Sequence, residues 1–135
     1  MADSEEQIRR VLEEFFRAQE TFDGAAVLAA WHPGGRLYPV GNTGQFRVVS
    51  IEEQAAHLDE VRVRVPGLRV RFEVEAVEGL AVHDDLIASL HVRWRMIMPE
   101  SEGRHRSFYH LANMDGRWGL VSAVDRGFEV PAERG

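Results

Sequence analysis

Chemistry in this chain has to come from histidine, carboxylates and hydroxyls. The sequence contains no cysteine, and all of its 16 Lys/Arg residues are arginine. Thiolate nucleophiles, cysteine-held zinc and lysine Schiff bases are therefore excluded. Six histidines remain. None falls in an H-x-H pair, in an H-x-x-x-H pair on a helix, or in a two-His-plus-carboxylate spacing, so no metal site is expected. His110 stands out because it changes charge near neutral pH and lies in an apolar context. It could act as a general acid or base, or donate to a ligand carbonyl. It could equally be a core histidine bonded to a neighbouring hydroxyl. Asp125, on the parity of Val121 and Ala123, could partner His110 or pair with Arg126 or Arg95. His57 lies where it could look into a cavity mouth or into solvent.

The placement of His110 depends on how two strands pair. Leu86 to Ile97 alternates Leu86, Ala88, Leu90, Val92, Trp94 and Met96 against Ile87, Ser89, His91, Arg93 and Arg95, the period of a strand with one buried face. A loop, Pro99-Glu-Ser-Glu-Gly103, leads to a second arm ending at Met114. With Val92 opposite His110, Trp94 meets Phe108 and Leu90 meets Ala112, giving one apolar face. A slip by one sets Arg95 against Arg106 and mixes apolar with charged faces. Burying unpaired guanidiniums would cost several kcal/mol each, so the first register is expected. It gives a small apolar pocket with Phe15, Trp31, Tyr38, His57, Val92, Trp94, Phe108 and His110 as its ligand-binding residues. His91, Arg93, Tyr109 and Leu111 then share the other face, which is expected to meet a second copy of the chain.

The remaining elements must hold that hairpin. Ser4 and Gln7 make a capping box for a helix to Glu20 whose apolar residues Ile8, Val11, Leu12, Phe15, Ala18 and Phe22 recur at helical spacing. Asp23 caps a short helix to Ala30, stopped by Pro33-Gly34-Gly35. Strands follow at Arg36–Val40 and Gln45–Val49, and Ser50 with Glu53 opens a third helix to about Glu60. Leu68 to Val82 alternates as a strand, and Asp115-Gly116 is a tight turn into a last strand ending at Arg126. Trp118 is read as core, and His32 as bonded to backbone at the end of the second helix. Residues 1–135 are expected to form a single α+β domain, with 127–135 as a loose tail. At 135 residues it can bury about two-thirds of its unfolded surface. A net charge of −6 argues against nucleic acid as a partner. No apolar run reaches the roughly 20 residues of a membrane span and the N-terminus is acidic, so a cytoplasmic protein is expected.

Three segments carry a family resemblance. Trp31-His-Pro-Gly-Gly-Arg-Leu-Tyr-Pro-Val40, the hairpin from Glu73-Val-Glu-Ala-Val through His83-Asp84 into Leu86-Ile-Ala, and Asp115-Gly-Arg-Trp-Gly-Leu-Val121 resemble the lumazine-binding, SnoaL-like branch of the nuclear-transport-factor-2-like superfamily. The resemblance implies a cone-shaped, cystatin-like fold, with three N-terminal helices packed on a strongly curved antiparallel sheet. It implies a pocket for a small apolar or aromatic molecule, no cofactor, and a homodimer through the sheet. It also puts His110 where related enzymes place the polar donor of an oxyanion site. Alternatives are a SnoaL-like enzyme moving a proton on a carbonyl compound with His110 and Asp125, and a non-catalytic interaction module. The chain has Ser107-Phe-Tyr where the branch often has Asp-Tyr-Leu. Ketosteroid-isomerase activity would need a carboxylate near the first strand and a tyrosine on the first helix. Tyr38, Pro39 and Phe15 stand there instead, which argues against it.

Overall fold

The computed structural model describes residues 3–41 and 43–131, with side chains through Gly127. Three helices, α1 (Ser4–Glu20), α2 (Gly24–Ala30) and α3 (Ile51–Arg64), cover one face of a sheet made of β1 (Trp31–Val40), β2 (Val49–Ser50), β3 (Arg71–His83), β4 (Ile87–Ile97), β5 (Ser101–Met114) and β6 (Arg117–Pro131). Each helix starts on an oxygen that takes up an otherwise unpaired backbone N–H. Asp3, rather than Ser4, caps α1 by accepting from Glu6, while Asp23 caps α2 and Ser50 caps α3 as its spacing with Glu53 predicts. Ser4 is used elsewhere, donating to Asp85 and accepting from the Trp118 indole.

The strands lie in the order β2-β1-β6-β5-β4-β3, antiparallel throughout except that β1 runs parallel to β6. Bulges near Pro33-Gly34-Gly35 in β1, at two places in β3, and after His110 bend the ladder. The turn at Asp115-Gly116, between paired Met114 and Arg117, has positive φ at both residues, the geometry of a two-residue hairpin. The turn at Asp84-Asp85, also at positive φ, includes Leu86 because His83 pairs with Ile87. β6 continues to Pro131, pairing Val130 with Glu102, so residues 127–131 belong to the sheet instead of a loose tail. The rest of the expected tail, 132–135, lies outside the described residues.

The β4–β5 register differs from the one expected. Val92 pairs with Ser107, Leu90 with Tyr109, Trp94 with His105, and Arg93 with Arg106. The cause is the turn. Met98 N–H bonds the Ser101 carbonyl at 3.0 Å, so only Pro99 and Glu100 lie between the arms instead of the five residues Pro99–Gly103. Removing three residues from the loop is an odd shift, and an odd shift turns every β5 side chain to the other face. Tyr109 and Leu111 therefore point into the core, 3% and 1% exposed, while Phe108 is 48% exposed and His110 is exposed on the outer face. The objection to facing arginines fails because those guanidiniums are not buried. Arg93, Arg95, Arg104 and Arg106 all lie on the outer face, where Glu78 pairs with Arg93, and Glu73 and Glu102 with Arg95. The Glu73 hydrogen bond, outweighing partial desolvation, raises the Arg95 pKa and keeps it charged.

Between the layers, Ile8, Leu12, Phe15 and Phe16 of α1 meet Leu90, Val92 and Trp94 of β4 and Leu120 of β6. Each such side chain contributes about 1.5–3 kcal/mol when fully buried. Trp118 is core as expected. His32 is buried too, but its Nε2 lies 2.8 Å from the Ala112 carbonyl and Arg117 donates to its Nδ1, so it joins β1 to the β5 and β6 ends rather than closing a helix.

The pairing makes Arg106 face Arg93 on one side and Arg126 on the other. Arg106→Glu should raise stability at low salt by about 0.2–1 kcal/mol for each of those pairs, read from urea unfolding midpoints. A destabilised variant would contradict the register.

Candidate functional site

The cone closes on a cavity of about 110 Å³ between α1, α3 and the sheet. The residues that line it arrive by strand alternation. Leu37 and Pro39 come from β1, Trp94 from β4, Ser107 and Tyr109 from β5, and Ala123 and Asp125 from β6. Helix α1 adds Phe15 and Gln19, one turn apart, and α3 adds Gln54. Arg47, in the segment leading to β2, stands at the same wall.

A polar line crosses three strands inside this apolar setting. The Trp94 indole N–H donates to Ser107 Oγ at 3.0 Å, and Ser107 donates to Asp125 Oδ1 at 2.8 Å. Ser107 is 1% exposed and lies opposite Asp125 on one side and Val92 on the other in the ladder. His105 stacks flat on Trp94, ring centres 4.0 Å apart, and its Nδ1 lies 3.6 Å from the same Asp125 oxygen. That geometry requires Gly127, because a Cβ there would fall 2.2 Å from the His105 ring. Both contacts use Oδ1, which leaves Oδ2 of Asp125 as the oxygen for a ligand. Gln19 Nε2 is buried with no hydrogen-bond partner among the described residues, so a donor also waits at the cavity wall. Burial holds the Tyr109 phenol well above its ordinary pKa; the Ser107 hydrogen bond opposes that, and the Asp125 charge adds to it. The phenol is a fixed neutral group at neutral pH. Together these groups can accept one hydrogen bond from a ligand and donate another.

Of the residues expected at the pocket, Phe15, Trp94 and Asp125 line the cavity. Trp31 is buried behind Phe15, its ring 5.6 Å away, and packs in the core. Tyr38 lies between Leu37 and Pro39 and, partly exposed, meets Phe46 instead. Val92 borders a different groove, about 360 Å³, between α1 and β3, floored by Leu12, Phe16, Phe72 and Val77. That groove is larger, but its charged residues, among them Arg9, Glu13 and Arg17, sit on the exposed face of α1. His57 is exposed on α3. Phe108 and His110 are on the outer face, and His110 Nδ1 is 2.7 Å from Ser122 Oγ. The expected pairing of His110 with Asp125 fails because the two side chains lie on opposite faces of the sheet. Sequence reasoning missed Ser107, Tyr109 and Gln19. Ser107, Tyr109 and Leu111 do share one parity, and only the turn length could have shown that it was the inner one.

Because folding keeps Tyr109 protonated while the unfolded tyrosine ionises near pH 10, its contribution is intact below about pH 10 and lost as pH rises beyond. Urea unfolding from about pH 8 to 11 should show stability falling by up to about 1.4 kcal/mol per pH unit above 10. Tyr109→Phe should remove most of that slope, and an unchanged slope would contradict the burial of the phenol.

The family model described as "Putative lumazine-binding" matches residues 3–124. No curated protein matches the sequence. Among solved structures, the chain is similar to an NTF2-like protein of unknown function from Pseudomonas putida KT2440, with 18% identity, a TM-score of 0.69, and 91% of this chain and 85% of that one covered. It is similar to a protein of unknown function with a cystatin-like fold from Nostoc punctiforme, with 12% identity, a TM-score of 0.69, and 92% and 90% covered. It is also similar to "Putative Scytalone Dehydratase" from Novosphingobium aromaticivorans, with 10% identity, a TM-score of 0.74, and 100% and 94% covered. At these identities the likeness is one of fold. The match over residues 3–124 places the chain in the "Putative lumazine-binding" family, and the solved structures show that it shares the NTF2-like, cystatin-like fold.

Proposed function

We propose that the cone cavity binds a small apolar or aromatic molecule of about one ring, held between Phe15 and Trp94 and anchored by Asp125. The observation that carries this reading is the supported carboxylate. Asp125 and the unpartnered Nε2 of Gln19 line one cavity whose other walls include Leu37, Ala123 and aromatic rings. Size sets the limit. Drug-sized ligands occupy about 300–1,000 Å³, whereas an apolar cavity near 150 Å³ takes benzene. At about 110 Å³ this one suits a single ring, and a bicyclic lumazine would require the walls to open.

Phenol is the simplest probe, a single ring with one hydroxyl to donate to Asp125. Binding should quench Trp94 fluorescence and saturate. Asp125→Asn should weaken phenol more than toluene, since only phenol uses the carboxylate. Ala123→Val, which fills the wall, should abolish both. Equal phenol affinity in Ala123→Val would remove the cavity from the account.

A second reading, proton transfer on a carbonyl compound, is favoured by the Ser107 and His105 contacts on Asp125 and by the likeness to the dehydratase structure. In it Asp125 moves the proton, and His110 has no part inside the cone. A cyclic ketone whose α-protons exchange with deuterium faster with wild type than with Asp125→Asn would support it.

Two copies of the chain pair through the outer sheet face. Phe108 stacks on His91 there with ring centres 4.5 Å apart, beside exposed Ile87 and Val124. The pairing patch keeps His91 as expected, whereas Arg93 lies on the same face but borders an open hollow at one end of the sheet. Tyr109 and Leu111 are internal, and Phe108 and His110 take their place. Sedimentation velocity should give a dimer that Phe108→Asp converts to monomer. A monomeric wild type at tens of micromolar would refute the pairing.

A further inference from the structure

The outer face carries a second feature that the cone does not use. Arg93, Arg104, Arg106 and Arg126 border a hollow of about 350 Å³, with Glu75 as the one carboxylate at its edge. With Glu78 paired to Arg93, four guanidiniums against two carboxylates leave a local charge of +2 in a chain whose net charge is −6. The strand register concentrates it. Arg93 pairs directly with Arg106, Arg106 with Arg126, and Arg95 with Arg104. Like charges directly opposite weaken a ladder. The acidic residues of β3 relieve only the β4 row, through Glu78 on Arg93 and Glu73 on Arg95. Arg104, Arg106 and Arg126 have no carboxylate partner among the described residues, and all three are exposed.

We propose that this hollow is a binding site for a phosphate-bearing small molecule. The argument is one of acceptor number. Each guanidinium presents a planar fork of N–H donors, and one carboxylate is satisfied by a single fork. Three unneutralised forks on adjacent strands call for a group with more oxygens and more than one negative charge, which a phosphoryl group supplies. The hollow is confined to one end of the sheet, which fits a small anion better than the extended basic stripe that tracks a nucleic-acid backbone. The hollow and the cone cavity share no lining residue, although His105, which also lines the hollow, stacks on Trp94 of the cone.

Inorganic pyrophosphate titrated into the full chain at low salt, followed by calorimetry, is the test. The site predicts saturable binding of one equivalent per chain, weakened about tenfold by Arg106→Gln and by Arg126→Gln. Arg9→Gln, an arginine paired with Glu5 on α1, should leave it unchanged. The Arg→Gln changes remove like-charge repulsion and should not impair folding. Arginine Nε–H resonances of the wild type provide a readout that needs no variant, with shifts confined to Arg93, Arg104, Arg106 and Arg126. Phenol binding in the cone should be the same in Arg106→Gln, which separates this site from the other. No saturable binding, equal loss in Arg9→Gln, or tighter binding of a single-stranded oligonucleotide than of pyrophosphate would overturn the proposal.

Discussion

The hydrogen-bonded line from the Trp94 indole through the Ser107 hydroxyl to the Asp125 carboxylate ties β4, β5 and β6 together. Buried polar groups are costly when left unpaired, about 1–3 kcal/mol each, so this line holds the β5 parity that the Met98–Ser101 turn sets. Once Ser107 is inside, Tyr109 and Leu111 must be inside as well, and Phe108 and His110 must be outside. The cavity, the outer stack on His91 and the arginine hollow all follow from that one parity.

The line also explains how a carboxylate is tolerated in an apolar cone. Asp125 is partly exposed, accepts from Ser107 and has the His105 ring nearby. It keeps a carboxyl group at the cavity wall while one of its oxygens stays satisfied. Tyr109 does the opposite work, remaining neutral because burial disfavours the phenolate. An acceptor and neutral donors on the same wall are the conditions under which a small polar substituent can orient an otherwise apolar ring.

Most of the fold was legible in the sequence because its signals are local. Helical spacing placed Ile8, Leu12 and Phe15, the Ser50–Glu53 box placed α3, and Asp115-Gly116 placed the last hairpin. Trp94 was found at the cavity because its strand alternates cleanly, and Asp125 because it shares the parity of buried Ala123 beyond the bulge in β6. The face of β5 was not legible, because both of its parities hold aromatic and apolar residues. Phe108 and Ala112 competed with Tyr109 and Leu111, so the decision fell to the length of one turn, and Met98-Pro99-Glu100-Ser101 closes more tightly than a Pro- and Gly-flanked stretch suggests. Facing arginines were rejected as a burial cost, although exposed guanidiniums meet a much smaller penalty.

Inter-strand nuclear Overhauser contacts between β4 and β5 test this parity most directly. The account predicts contacts joining Val92 to Ser107 and Leu90 to Tyr109, with the Trp94 indole proton close to the Ser107 methylene. Contacts joining Val92 to His110 and Leu90 to Ala112 would contradict it, returning the imidazole to the cone and removing Ser107 from it.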